Sequence, residues 1–118
     1  MIIFWALLIS CYGVKGEGSP PPRVISTSPQ LTELLFQLGY GSRIVGTPSQ
    51  SDFPNEAKRI PRIGSMFRPN IEKVLALNPD HILVDETNLS EDFVQSLRAL
   101  GMTFTKVNLS SIDSLAKE

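Results

Sequence analysis

At 118 residues, 42% apolar and with a formal net charge of −1, the chain has room for one small folded domain and no more. Near-neutrality argues against nucleic acid as a partner, because phosphate recognition needs a clustered basic surface; the nearest candidate, Lys58, Arg59 and Arg62 around Ile60-Pro61, reads as a solvated loop face. One cysteine, Cys11, and one histidine, His81, exclude an intrachain disulfide and leave too few ligands for a nitrogen–sulfur metal centre, so neither a metal nor a cofactor is expected.

Residues 1–19 differ from the rest. Ile2 to Ile9 is apolar but shorter than the roughly 20 residues a bilayer span requires. It suits the apolar part of an export signal, about 7–15 residues long, although no Lys or Arg precedes it. A cut after Gly16 has small residues at the right positions, Val14 and Gly16, and a buried N-terminal strand or helix is the competing reading. Residues 20–22 are a proline linker, stiffened into an extended form.

From residue 23 the pattern alternates. Val24-Ile25 starts a first strand. Ser28 is placed to cap a helix with Pro29 at its first position, and Leu31, Leu34, Leu35 and Leu38 recur at helical spacing towards a core. Gly39-Tyr40-Gly41 ends that helix, since a glycine just past the last turn takes the left-handed conformation without a Cβ clash. Arg43 to Val45 is a second strand. Thr47 to Gly64 is a long polar, proline-bearing connection of the kind that usually carries function.

Pro69 suits the first position of a short helix whose inward face is Ile71, Val74, Leu75 and Leu77; Asn78-Pro79-Asp80 stops it. Ile82-Leu83-Val84 reads as a strand buried on both sides. Ser90 caps a helix from Glu91 to Leu100 with Phe93, Val94, Leu97 and Leu100 inward, and Gly101 ends it. Thr103 to Val107 is a fourth strand, and Ser111 opens a final helix. Strands alternating with helices predict an α/β fold with a mainly parallel sheet flanked by helices. Ligands of such sheets bind beyond the carboxyl ends of the strands, here Ser26-Thr27-Ser28, Gly46-Thr47-Pro48, Asp85-Glu86-Thr87-Asn88 and Asn108-Leu109.

Enzyme signatures are missing. Gly39, Gly41 and Gly46 are not spaced as a dinucleotide fingerprint, and no phosphate loop is present. His81 reads as a strand-start histidine. Asp85 and Glu86 could line a cleft or form a solvated turn, and carboxylates alone do not make a nucleophile–base set. Binding has better candidates: Met66, Phe67 and Arg68 combine a soft apolar group, a ring and a cation on one loop.

Several motifs stand in an order that resembles the cobalamin- and siderophore-type (class III) substrate-binding proteins of bacterial ABC importers. They are Arg23-Val24-Ile25-Ser26-Thr27-Ser28-Pro29-Gln30-Leu31-Thr32-Glu33, then Val45-Gly46 followed by Ser51-Asp52-Phe53-Pro54, then Pro69-Asn70-Ile71-Glu72 and Ala76-Leu77-Asn78-Pro79-Asp80. The resemblance covers residues 23–118 and implies a single Rossmann-like lobe, the N-terminal half of a two-lobed binding protein with its second lobe absent. It implies an exported protein, periplasmic or lipid-anchored at the outer face of the cytoplasmic membrane. Leu8-Ile9-Ser10-Cys11 resembles a lipobox, with Cys11 as the lipidated residue. The implied ligand is cobalamin or a ferric chelate such as a siderophore or haem. Ser28, Gln50, Met66, Phe67, Arg68, Asp85 and Glu86 are its expected lining, although Gln50 stands where cobalamin-binding members often have an aromatic residue. The implied partners are an ABC permease, docked through Glu72, and, as a further candidate, a separate second lobe. A stand-alone interaction protein that keeps the docking face without transporting a ligand is the alternative.

Overall fold

The computed structural model describes residues 20–88 and 90–109. The expected leader, Cys11 and the helix expected from Ser111 lie outside the described residues. Four parallel strands form one sheet in the order β2-β1-β3-β4: β1 (Val24–Ser26), β2 (Ile44–Gly46), β3 (His81–Asp85) and β4 (Phe104–Val107). Three helices make the crossovers, α1 (Pro29–Gln37), α2 (Ile71–Ala76) and α3 (Glu91–Ala99). The chain steps from β1 to β2 in one direction, then crosses β1 to build β3 and β4 on the other side. Right-handed crossovers therefore put α1 on one face and α2 and α3 on the other, and the reversal between β1 and β3 is the topological switch point.

The register explains which side chains each face receives. Ile25 pairs with Ile82, and Ser26 with Leu83. Alternation then sends Ile25, Ile82 and Val84 into an apolar cluster with Ile63, Val74, Phe93, Val94 and Leu97. Ser26 points the other way, to α1, where Leu31 and Ile44 are buried beside polar groups. β3 is therefore not equally buried on its two sides: Ile82 and Val84 are enclosed, while Leu83 is only half-buried. The reason is the coverage of the α1 face, where Val24, His81 and Leu83 line an open hollow with Leu35 and Tyr40.

The helix boundaries follow local chemistry. Ser28 accepts the Leu31 amide at 3.1 Å, and Ser90 accepts that of Phe93 at 3.4 Å, as their capping positions predict. α1 ends with Gly39 and Tyr40 donating back to Phe36 and Leu35, and α3 with Gly101 and Met102 donating to Arg98 and Leu97. The start of α2 differs from expectation. Pro69 lies ahead of the helix, bridged to Gly64, and Asn70 is the cap, its Oδ1 accepting the amides of Glu72 and Lys73. A side chain able to take two amide protons outweighs the preference of proline for the first turn. Leu38, Leu75 and Leu100 are exposed rather than inward: Leu38 and Leu100 are the C-terminal caps of α1 and α3, and Leu75, one residue on from the buried Val74, is turned about 100° away from it. Arg23 was missed as a structural residue. Its guanidinium donates to the carbonyls of Leu77 and Asn78, and its main chain exchanges hydrogen bonds with Asp80, closing the α2–β3 turn against the start of β1.

Candidate functional site

The carboxyl edge of the sheet is built from three connections. At the switch point, Thr27 closes the gap between β1 and β3: its hydroxyl donates to the Leu83 carbonyl at 3.0 Å and accepts the Asp85 amide at 3.0 Å. Asp85 is 2% exposed, and its Oδ1 accepts the Thr87 amide at 2.9 Å. Ser28 is buried and committed to capping α1. Both expected lining residues thus stand behind the edge and shape it, while Glu86 is the exposed acid of the pair.

The long connection after β2 folds back on itself into two adjoining loops. Thr47 and Arg62 pair as in a parallel sheet, Ser49 donates to the Gly64 carbonyl at 2.8 Å, and Gln50 spans the gap between the loops. The Gln50 Oε1 accepts the Met66 amide at 3.1 Å, and its Nε2 reaches the Ser65 hydroxyl at 3.4 Å. Ser65 in turn accepts the Phe67 amide at 3.2 Å. Gln50, Met66, Phe67 and Arg68 therefore belong to one continuous surface. Met66 is half-buried, while the Phe67 ring is 65% exposed with no aromatic partner among the described residues. An exposed ring on a loop fixed by hydrogen bonds is an arrangement that solvent alone does not favour and that an apolar ligand would.

Arg62 is not a solvated charge. Its guanidinium donates to the carbonyls of Pro48 at 3.0 Å and Ser51 at 2.7 Å, and lies 3.4 Å from the Asp52 carboxylate. It braces the Gln50 loop from behind. Nothing in the local sequence distinguishes it from Lys58 and Arg59, because its partners are main-chain carbonyls 11 and 14 residues earlier.

Beside this surface, on the α2–α3 side, is a groove of about 410 Å³ lined by Arg68, Pro69, Ile71, Ser90, Asp92 and Phe93, among others. Arg68 is the only expected lining residue that reaches it; Gln50 and Phe67 do not. Glu72 lies next to its rim on the first turn of α2, exposed, with no ion pair among the described residues. Among the described residues no group of three or more His, Cys, Asp or Glu is placed to hold a metal, and no helix is long and apolar enough to cross a membrane.

The sequence matches the family model described as periplasmic binding protein over residues 24–116. The chain belongs to the periplasmic binding protein family. Among its relatives is a vitamin B12-binding protein of Yersinia pestis (strain Pestoides F), 34% identical over 112 residues that make up 95% of this chain and 39% of the relative. Another is the ABC transporter substrate-binding lipoprotein YvrC of Bacillus subtilis (strain 168), 34% identical over 75% of this chain and 28% of YvrC. The fold is similar to the periplasmic haem-binding protein RhuT of Roseiflexus in its apo form, with TM-score 0.69 and 32% identity. It is equally similar to the vitamin B12-binding protein BtuF of Vibrio cholerae, with TM-score 0.69 and 32% identity over 75% of this chain and 35% of BtuF. The chain spans well under half the length of these family members. The family membership and the parallel α/β lobe expected from the motif order are both observed.

Proposed function

We propose that this chain is the N-terminal lobe of the substrate-binding component of an ABC importer, exported from the cytoplasm, and that it takes cobalamin or an iron chelate such as a siderophore or haem. The observation that carries the reading is the Gln50 bridge. It joins two loops into a single surface at the carboxyl edge, with the Phe67 ring presented outward. Phe67 and Met66 would pack against the planar face of a macrocycle, and Arg68 would pair with a peripheral carboxylate or phosphate. Gln50 and Glu86 would contribute polar contacts at the rim, with Ser28 and Asp85 holding the strand ends beneath them. No bond is made or broken in this role. The relatives support the class of ligand: names among them refer to vitamin B12, and names among the similar structures to both vitamin B12 and haem.

The exposed Glu72 would dock on a basic group of the permease. As a rim charge it would govern orientation and encounter rate more than equilibrium affinity. A single lobe offers one wall of a cleft. If two walls together held a ligand at about nanomolar affinity, roughly −12 kcal/mol, one wall would retain on the order of half of that and bind with a Kd of about tens of micromolar.

Titration of the purified chain with haemin and with cyanocobalamin, followed by calorimetry and absorbance, tests this. Weak saturable binding is expected, reduced about tenfold or more by Phe67→Ala, consistent with removal of about 1.4 kcal/mol or more of contact. Binding at about 1 μM or tighter would overturn the one-wall argument. Binding unaffected by Phe67→Ala would overturn the assignment of the site.

A further inference from the structure

We propose that Thr32 is the positioning residue of this wall: its buried hydroxyl fixes the loop of residues 48–52 to the end of the sheet, and so sets where Gln50 holds the Met66–Phe67 loop. The proposal rests on the binding-wall reading above and adds to it a residue on α1, remote from the wall surface.

Ser26, Ser28, Thr32, Thr47 and Ser51 are fully or almost fully withdrawn from solvent. A threonine on the first turn of a helix needs only the carbonyl four residues back to satisfy its hydroxyl. Thr32 has that carbonyl, Ser28, at 3.0 Å. Its oxygen is nevertheless also 2.9 Å from the Ser26 hydroxyl, 2.8 Å from that of Thr47 and 3.2 Å from that of Ser51. A hydroxyl has one proton to give and two lone pairs to receive. Ser26 gives its own proton to the Ser28 carbonyl at 2.9 Å. With the Thr32 proton on Ser26 or Ser28, its two lone pairs remain to accept from Thr47 and Ser51, the arrangement that satisfies all of these hydroxyls at once. Every capacity of the Thr32 oxygen is used, and no buried side-chain polar atom among the described residues lacks a partner.

The two accepted bonds reach 15 and 19 residues along the chain, to the end of β2 and to the far side of the Gln50 turn. Ser51 donates its amide to Pro48 at 3.0 Å, which closes that turn, and Gln50 stands at its tip. From Gln50 the link continues to the Met66 amide. A fixed sequence of contacts thus runs from the body of α1 to the loop that carries Phe67. Valine at position 32 would keep the shape and remove the acceptor; serine would keep the acceptor.

Backbone amide exchange in the full chain, measured residue by residue by NMR without any ligand, tests the link. In Thr32→Val the Met66 amide should exchange about tenfold faster or more, beyond any change at Ile82 and Leu97, and Thr32→Ser should restore slow exchange. Ser51→Ala, which cuts only the connection to the loop, should give the same local increase and serves if Thr32→Val does not fold. In a Gln50→Ala background Thr32→Val should have no further effect on Met66. Uniform acceleration across the sheet, an unchanged Met66 amide, failure of serine to rescue, or an undiminished effect without Gln50 would each overturn the proposal. The haemin and cyanocobalamin titrations of the unaltered chain judge the binding reading separately.

Discussion

The two faces of this sheet are assembled by different physics. On the α2–α3 side, Ile25, Ile63, Val74, Ile82, Val94 and Leu97 are fully enclosed and held by area and shape. On the α1 side, beside Leu31 and Ile44, the enclosed groups include four hydroxyls that meet at Thr32. Burial of apolar groups is non-directional, so the first face tolerates small displacements. Hydrogen bonds in a dry setting are directional and costly to leave unmade, so the second face fixes position. The loop that carries the proposed binding surface grows from the second face.

Substitutions can separate the two. The largest effect is expected from Leu97→Ala, which leaves a cavity in the apolar cluster and should lower stability by about 2–5 kcal/mol in urea denaturation. A loss well below that would mean this face collapses readily around a void. Thr32→Val removes no volume yet should cost about 1–3 kcal/mol, because it strands the Thr47 and Ser51 hydroxyls. The matching shape-conserving change on the other face, Leu97→Met, should cost less than about 1.5 kcal/mol. If Leu97→Met proved costlier than Thr32→Val, the contrast between the faces would not stand. Asn70→Ala should cost about 1 kcal/mol through the lost double cap of α2. The smallest effect is expected from Asp52→Ala: the Asp52 carboxylate, 3.4 Å from Arg62, is exposed, and the pair should contribute less than about 0.5 kcal/mol at moderate salt.

Legibility in the sequence followed the range of the interactions. The Ser28 and Ser90 caps, the glycine-ended helices and the strand alternation depend on residues within four positions of one another, and all were readable. Inward faces were overread at the helix ends, where Leu38 and Leu100 are caps and not members of the packed turns. Asn70 was overlooked as a cap because proline beside it gave the stronger conventional signal. At the candidate site, composition pointed to the loop of Met66 to Arg68 and the resemblance to Gln50, and the structure joins the two. The bond between Gln50 and the Met66 amide was not, since a side chain meeting a main-chain group 16 residues away leaves no periodic trace. Arg62 and Thr32 were missed for the same reason: their importance lies in partners that only the fold brings near.

Arg23 has a consequence for how the first strand resists being pulled away. It locks the first strand to the α2–β3 turn at the amino edge, with three bonds made by its main chain and a three-bond guanidinium clamp. A pull on the chain ahead of Val24 would therefore load the Arg23 contacts before it could peel β1 from the sheet, at the edge opposite the loops that carry Gln50 and Phe67.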